Sequence, residues 1–353
     1  MSGRFVSENK PARSRIFFAG LFGLTLLMAN DHLAFAQEFY KDKTIRVIVG
    51  QAAGGGYDTY TRTIARHISK HIPGNPSVVV ENMTGAGSLV AANYLYNNAK
   101  PDGLTIANWN SAFVLNQALG DPNIKFDALK FGWIGAPSKG IPVFVMMGFA
   151  GVKNFQEAQG KVLRVGGTAR GSHSIDLPLM LNKMVGTQFN VVSGYQGTAQ
   201  VRLAMQRREV DGDFTNWESV VATRREMLDA KGDERLLPLL IHARLNDPEV
   251  KDIPLFTDIL GNELNVATYK AYMAQMEYQR PLTVAPGTPR DRLEILRRAF
   301  RATLADPEFQ AQSKKSKLDI TYVSGEEAEK FAGEVLGISP KVRENLQFLA
   351  QAK

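Results

Sequence analysis

Residues 44–58 read TIRVIVGQAAGGGYD, and this stretch decides the fold. The β-branched run 44–49 is typical of a buried strand, and three successive glycines follow it. After Asp58, which can cap a helix, an apolar side chain recurs every four residues, as on one face of an amphipathic helix. Glycines allow close approach to the backbone, and the free N–H groups at a helix start favour an anion. The stretch therefore predicts a strand, an anion-binding turn and a helix in succession.

A second glycine-rich turn repeats this arrangement. Residues 82–88, NMTGAGS, follow another β-branched run and precede a helix that starts near Leu89. Two such turns at the carboxyl ends of neighbouring strands face one crevice, which is where ligands bind in open α/β sheets. The alternative is that these glycines only shape tight strand-to-helix turns. Neither turn has the spacing of a dinucleotide-binding motif or a P-loop.

The rest of the chain alternates short β-branched runs with amphipathic stretches of helix length. This pattern predicts an α/β fold in which mostly parallel sheets are flanked by helices. Because 353 residues are many for one doubly wound sheet, we expect two lobes. The expected strands are 44–49, 77–81, 105–108, 143–147, 163–166, 189–192, 210–214, 236–242 and 281–285.

No flexible linker divides the chain between the expected lobes. Strands are therefore expected to cross from one lobe to the other, near residues 140–143 and again near 280–283. These crossings divide the chain into lobe 1, residues 37–139 plus 281–353, and lobe 2, residues 140–280.

The N-terminus has the three parts of a secretory signal peptide. A basic segment precedes an apolar run over residues 16–28, and the small-x-small sequence Ala34-Phe35-Ala36 follows. The run is shorter than the roughly 20 apolar residues of a membrane-spanning helix. We predict that residues 1–36 are a signal peptide, cleaved before Gln37, and that the protein is periplasmic.

Composition narrows the classes of function. The formal net charge is +7, and no block of five basic residues occurs, so the excess suits small anions at least as well as nucleic acid. Absence of cysteine excludes a thiol nucleophile, a thiolate metal site, a disulfide and a lipidated cysteine anchor.

His67 and His71 have metal-binding spacing on a helix, but no glutamate lies between them as in H-E-x-x-H, so we expect them to pack at the helix boundary. We expect no nucleic-acid partner, metal or cofactor.

A third polar turn, residues 166–173 (GGTARGSH), lies between a predicted strand and a predicted helix. Thr168 and Ser172 offer hydroxyls, and Arg170 offers a planar guanidinium that can bind a carboxylate through two hydrogen bonds. The alternative is that Arg170 is a solvated loop arginine. Ser172 beside His173 raises the possibility of a hydrolase, but sequence neighbours rarely point at each other and no G-x-S-x-G motif is present.

Several motifs, taken in order, resemble the extracytoplasmic solute receptors of tripartite tricarboxylate transporters, also called Bug receptors. Residues 52–62, AAGGGYDTYTR, are similar to the family's P-P-G-G-x-x-D-x-x-A-R and keep its glycines, aspartate and arginine. Residues 82–88 and 101–105 are similar to N-x-x-G-A-G-G and P-D-G-Y-T. Residues 194–199, GYQGTA, are similar to P-Y-K-G-[ST]-A, and 285–289, APGTP, to A-P-x-G-[TS]-P.

The resemblance implies a two-lobed periplasmic-binding-protein (flytrap) fold that closes on a carboxylated solute. It also implies two membrane partners, a large and a small integral transporter subunit. By the resemblance, the first two turns bind one carboxylate of the ligand through backbone groups, and the second lobe closes over the remainder. With the polar residues of the third turn, the expected ligand-binding residues are Gly55, Gly56, Tyr57, Asp58, Gly85, Ala86, Gly87, Ser88, Thr168, Arg170 and Ser172.

The sequence therefore predicts a monomeric periplasmic receptor that binds a small organic acid without changing it. Two alternatives stay open: an exported α/β hydrolase-like enzyme using the same cleft, and a ligand-sensing subunit for a signalling partner. Turnover of the ligand distinguishes the enzyme from the receptor. The sequence does not distinguish sensing from transport.

Overall fold

The computed structural model describes residue 3 and residues 39–168, 172–195 and 197–351. The predicted signal peptide with its cleavage point at Gln37, and Arg170 of the third turn, lie outside the described residues. Within the described ranges, no helix combines the length and the apolar character needed to cross a membrane.

The described residues form eleven strands and thirteen α-helices. The strands are β1 (Thr44–Val49), β2 (Ser77–Asn82), β3 (Thr105–Asn108), β4 (Gly132–Ala136), β5 (Pro142–Met147), β6 (Val162–Gly166), β7 (Gln188–Val192), β8 (Gly212–Asn216), β9 (Leu236–Ile241), β10 (Leu282–Val284) and β11 (Val323–Ser324). The helices are α1 (Gly56–Ile68), α2 (Leu89–Asn97), α3 (Ala112–Ala118), α4 (Phe155–Gln159), α5 (His173–Val185), α6 (Thr198–Gln206), α7 (Trp217–Thr223), α8 (Arg225–Asp229), α9 (Glu263–Met273), α10 (Arg290–Ala305), α11 (Pro307–Lys315), α12 (Gly325–Leu336) and α13 (Pro340–Gln351).

The strands make two sheets. The first has the order β11-β4-β10-β3-β1-β2 and the second has the order β7-β6-β8-β5-β9. The expected parallel pairs are present: β1 with β2 and β3, and β6 with β7 and β8. Each sheet is nevertheless mixed, because β10 runs antiparallel to β3 and β4, and β5 runs antiparallel to β8 and β9.

Three strands are reversed: β5 follows β4 of the other sheet after a short crossing, β10 follows β9 of the other sheet by way of α9, and the two-residue β11 pairs antiparallel with β4. A strand that follows a βαβ crossover is parallel to its neighbour, but a strand entered by a direct crossing has no such constraint. The crossing segments also pair with each other. Gln279 N donates to Ser138 O at 2.9 Å, and Gly140 N donates to Met276 O at 2.8 Å. The crossing is therefore a short antiparallel ladder between the sheets.

Local sequence signals explain where helices begin. Asp306 caps α11 by accepting the N–H of Glu308 at 2.9 Å, and Pro307 occupies the first helical position, where no N–H is needed. Ser324 and Glu327 form a reciprocal capping box at the start of α12. These caps satisfy backbone N–H groups that have no partner within the helix.

An aromatic cluster packs beside the first sheet, next to β3 and β4. Trp109, which follows β3, lies 5.4–5.5 Å, centroid to centroid, from Phe126, Phe131 and Trp133. Its indole Nε1 donates to Thr283 Oγ1 at 2.7 Å, which ties the end of β3 to β10. Trp109 is thus a core residue, and the polar end of its ring is satisfied.

Candidate functional site

The first glycine-rich turn is braced by Asp58, in the first turn of α1. The buried carboxylate accepts the N–H of Gly54 at 2.9 Å, Arg62 Nε at 2.9 Å and Asn82 Nδ2 at 3.0 Å. Burial raises the pKa of Asp58, but the hydrogen bonds from Arg62, Gly54 and Asn82 outweigh it and hold the pKa below its ordinary value. All these partners lie within the protein, so Asp58 fixes the shape of the turn.

The second turn has an unusual backbone. Gly85, Ala86, Gly87 and Ser88 have φ angles of 138°, 44°, 67° and 87°, so four consecutive residues lie at positive φ. The buried Ser88 hydroxyl accepts the N–H of Asn110 at 2.8 Å, and Ser88 N donates to Gly85 O at 2.9 Å. Ser88 therefore shapes the turn from inside, while Ala86 and Gly87 are exposed.

The two turns touch at Gly50. A Cβ at Gly50 would lie 2.2 Å from Ser88 Cβ and 3.0 Å from Ser88 Cα, so only glycine fits. Gln51 Nε2 also donates to Gly87 O at 3.1 Å. The structure thus brings residues 55–58 and 85–88 together at the carboxyl ends of β1 and β2, where the sequence pattern places them.

The third turn presents a cluster of hydroxyls at the start of α5. Thr168 Oγ1 lies 3.2 Å from Ser172 Oγ and 3.1 Å from Ser174 Oγ, and the two serine oxygens are 2.8 Å apart. Thr168 N also donates to Ser174 Oγ at 3.1 Å. These bonds join Ser172 to the hydroxyls of Thr168 and Ser174.

A cleft of about 880 Å³ opens between elements of the two sheets. From the first sheet's side, Tyr60 of α1 and the segment after α11 line it; from the second sheet's side, the start of α5 and α7 do. The exposed Gly54–Gly56 precede Tyr57 and Tyr60, so the first turn adjoins the cleft without being among its lining residues. The charged and aromatic residues that line the cleft are Tyr60, His173, Trp217, Glu218, Asp247, Arg280, Lys314, Lys317 and Asp319.

Arg280, on the crossing between the sheets, presents its guanidinium to this cleft. The guanidinium carbon lies 4.5 Å from the Tyr60 ring centroid and 5.6 Å from that of Tyr57. Nη1 donates to Ser138 Oγ at 2.8 Å and Gln279 Oε1 at 3.0 Å, whereas Nε is buried without an acceptor. No carboxylate of the described residues lies within 4.0 Å of the guanidinium nitrogens. The sequence analysis treated this position only as part of a crossing.

Two carboxyl groups share the cleft with Arg280. Burial, with a smaller contribution from Asp319, raises the pKa of Glu218 to about 7 against the opposing effects of a backbone hydrogen bond and Arg280. Burial also raises the pKa of Asp319, again against Arg280. Burial lowers the pKa of His173 to about 4, so this imidazole is neutral at physiological pH. Beside Arg280 the cleft therefore holds two acids, Glu218 and Asp319, whose charged forms are disfavoured by burial.

We expect Glu218→Gln to flatten the pH dependence of stability. Because the pKa of Glu218 is about 7 in the folded state and 4.5 as its ordinary value, the folded state binds more protons between these values. The free energy of unfolding should therefore fall as pH rises from about 4.5 through about 7, and the glutamine variant should be more stable by roughly 1–3 kcal/mol at pH 8. Urea unfolding across this pH range checks it, with the exposed Glu334→Gln as control. An unchanged slope in Glu218→Gln would contradict the assignment.

A smaller cavity of about 470 Å³ lies between α3, α5 and α9. Its described lining includes the carboxylates Asp121 and Asp176, with no lysine or arginine among the described residues. Asp176 accepts the Tyr272 hydroxyl at 3.0 Å. This cavity is less suited to an anion than the cleft that contains Arg280.

His67 and His71 lie against α11. His67 Nε2 is 2.7 Å from the Gln312 side chain, and its ring packs edge-on against Phe309 at 5.8 Å. His71 Nε2 is 3.0 Å from Asp306 Oδ2. Both histidines thus contact the neighbouring helix, as expected for packing at a helix boundary. Asp306 also pairs with Lys70 at 2.8 Å.

The chain is similar to known proteins over part of its sequence and in its fold. No family model matches the sequence. The chain is 27% identical over 199 residues to a UPF0065 protein of Bordetella bronchiseptica, a match that covers 54% of this chain and 57% of the relative. A UPF0065 protein of Agrobacterium vitis is 36% identical over 115 residues, covering 32% of this chain and 31% of that protein. The chain thus matches little more than half the length of the first relative and about a third of the second.

Solved structures show the fold. A TctC solute-binding protein from Polaromonas superposes with a TM-score of 0.63 at 19% identity, covering 85% of this chain and all of that one. MatC from Rhodopseudomonas palustris, solved with bound malate, gives 0.57 at 20% identity and covers 83% and 96%. These likenesses confirm the predicted two-lobed α/β periplasmic-binding-protein fold. In sequence the chain is similar to UPF0065 proteins over part of its length, and in fold it is similar to TctC-type solute-binding proteins.

Proposed function

We propose that this chain is an exported receptor that binds a small carboxylate-containing organic anion between its lobes and leaves it chemically unchanged. It acts as a monomer in the periplasm and delivers the solute to a tripartite tricarboxylate-type transporter with a large and a small membrane subunit. One observation carries the proposal. Two glycine-rich turns are joined at Gly50 and Ser88, and the first of them adjoins a cleft in which Arg280 has no carboxylate partner among the described residues. The bound malate of MatC supports a carboxylate as ligand.

The backbone of the first two turns is the proposed site for one carboxylate. Gly55 and Gly56 are exposed at the start of α1, where N–H groups lack helical partners and the helix dipole favours an anion. The side chain of Asp58 is fully occupied in bracing the turn, so we assign it a positioning role. Exposed Ala86 and Gly87 face the same edge of the sheet from the second turn.

The second lobe completes the proposed site. Thr168 and Ser172 offer hydroxyls at the start of α5, next to His173 of the cleft wall. Arg170 belongs to the same turn and stays a predicted ligand contact. We propose that lobe 1, residues 37–139 plus 281–353, and lobe 2, residues 140–280, close on the solute about the crossing at Ser138 and Gln279.

Gly55→Ala tests the backbone site without straining the fold. Gly55 has a φ of −78°, which alanine adopts freely, and its new Cβ would meet only Ala52 O at 3.4 Å. We expect the variant to melt like the wild type alone but to lose at least tenfold in affinity, because the methyl group blocks close approach of a carboxylate. The measurement is a thermal-shift screen against mono-, di- and tricarboxylic acids. A ligand at 100 times its dissociation constant adds about 2.7 kcal/mol of stability to the wild type.

Gly160→Ala is the matched control, since Gly160 has a φ of −82° and open space around its Cβ position, far along the chain from the turns. It should keep the full ligand-induced shift. A full shift in Gly55→Ala would show that the first turn does not bind the carboxylate. A wild type that no carboxylic acid stabilises would overturn the proposed function itself.

A further inference from the structure

Arg280 is held in the cleft under conditions that are unfavourable unless something binds it. It has a φ of 59°, an uncommon conformation for a residue with a side chain. Its buried Nε has no acceptor, although an unpaired buried donor is destabilising. The edge formed by Nε and Nη2, which is suited to a carboxylate, lies beside the first turn of α1: a Cβ at Gly56 would be 3.7 Å from Nη2. An anion there would be attracted by both the guanidinium and the helix start.

Two acids stand on the same face as Arg280. The Tyr60 ring packs under the guanidinium, and its hydroxyl donates to Asp319 O at 2.8 Å, which fixes Asp319 beside the arginine. Glu218, in the first turn of α7, lines the cleft from the second lobe. Neither carboxyl group has a cation within 4.0 Å among the described residues. When ionised, these side chains repel a second bare carboxylate, and their oxygens accept a hydrogen bond from a hydroxyl or an ammonium group.

We propose that Arg280, Glu218 and Asp319, called here the mixed-charge face, bind the end of the solute that carries a carboxylate and a hydroxyl or amino group on the adjacent carbon. Arg280 binds the carboxylate, and the two acids accept hydrogen bonds from the neighbouring donor. The chemical class is therefore 2-hydroxy or 2-amino carboxylates, in preference to carboxylates without that donor. This inference rests on the proposed function and deepens it.

Matched ligand pairs test the preference by calorimetric titration. Malate and succinate differ only by the 2-hydroxyl group, as do 3-phenyllactate and 3-phenylpropanoate, and aspartate supplies the amino analogue. The wild type should bind the hydroxylated member of at least one pair at least tenfold more tightly, because a site built to bond a donor rejects the analogue that lacks it. Glu218→Gln, whose amide retains one acceptor and loses the charge, should reduce that ratio.

Arginine variants test the carboxylate contact. Arg280→Gln should weaken binding of every carboxylate that the wild type binds by ten- to more than a hundredfold, and Arg280→Lys, which keeps the charge, should lose less. Arg208→Gln is the control: Arg208 also has a positive φ, 61°, and stacks on an aromatic ring, Phe149, but it pairs with Asp233 outside the cleft. It should bind like the wild type.

The outcomes separate the two proposals. Equal affinity for both members of each pair, or unchanged binding by a folded Arg280→Gln protein, would overturn the mixed-charge face and leave the receptor function standing. Failure of the wild type to bind any of these acids or any member of the wider carboxylate screen would overturn both. The melting curve shows whether Arg280→Gln folds, and if it does not, Arg280→Lys becomes the test variant. We expect Arg280→Lys to bind the ligands more weakly than the wild type. Normal affinity of Arg280→Lys for all ligands, together with equal affinity for both members of each pair, would contradict the proposal.

Discussion

Replacing Arg224 by methionine should lower the free energy of unfolding by about 3–5 kcal/mol. Arg224, between α7 and α8, and Asp213 of β8 are 0% and 2% exposed and form two parallel hydrogen bonds of 2.8 Å. The substitution would leave the Asp213 carboxylate buried without its cation, and the desolvation of that charge would no longer be offset. Urea unfolding followed by circular dichroism measures the loss.

The double variant Arg224→Met/Asp213→Asn is the companion measurement. Because it removes the uncompensated charge as well, it should recover part of the stability that the single change loses. Arg225→Met is the control, since Arg225 is a neighbouring but half-exposed arginine whose ion pairs reach Asp229 and Glu249 at the surface. A single Arg224→Met protein as stable as the wild type would contradict the structure of this lobe.

Gly50→Ala should abolish most of the carboxylate affinity. Its methyl group would overlap Ser88 Cβ, 2.2 Å away, and approach Ala91 Cβ at 3.2 Å, so the two glycine-rich turns would have to move apart. Overpacking of this kind costs about 1–3 kcal/mol of stability. Binding should fall more than a hundredfold, because the displaced turns no longer point their N–H groups at one anion. Calorimetric titration with malate and a melting curve give the two readouts.

Ser88→Gly offers the rescue. Glycine suits the φ of 87° at this position and removes the Cβ that collides with the new methyl group. Gly50→Ala/Ser88→Gly should therefore regain most of the affinity, at the cost of the hydrogen bond from Asn110 N. Wild-type affinity in the single Gly50→Ala variant would show that contact between the turns does not matter for binding.

Local patterns predict much of this fold. All nine expected strands are present with ends within about two residues, since most are short apolar or β-branched runs bounded by turn residues. Two strands, β4 and β11, are not predicted from the sequence, and each is missed for a physical reason. The β4 strand reads GWIGA, and its Gly135 lies against Val323 and Phe300, where a Cβ would collide; two glycines in five residues do not indicate a strand. The other, β11, is only two residues long.

The position of the glycine-rich turns at adjacent strand ends was predictable because it depends on sequence-local patterns, and their role as a binding site stays a prediction. The mixed-charge face was not predictable, because its members come from α7, the crossing and the segment after α11, which only the tertiary fold brings together. Arg280 gives no sequence signal, since a positive φ and a missing ion-pair partner are properties of the structure. The role of Asp58 is likewise visible only in the structure, because three donors within the protein bind its carboxylate and make it brace the first turn.

The most direct test of the receptor function is a calorimetric titration of the wild type with malate and the other acids that stabilise it, followed by proton NMR of the recovered ligand. The account predicts saturable one-to-one binding of at least one carboxylate, with the ligand recovered intact after prolonged incubation. Consumption of the ligand, or failure of every carboxylate to bind, would contradict it.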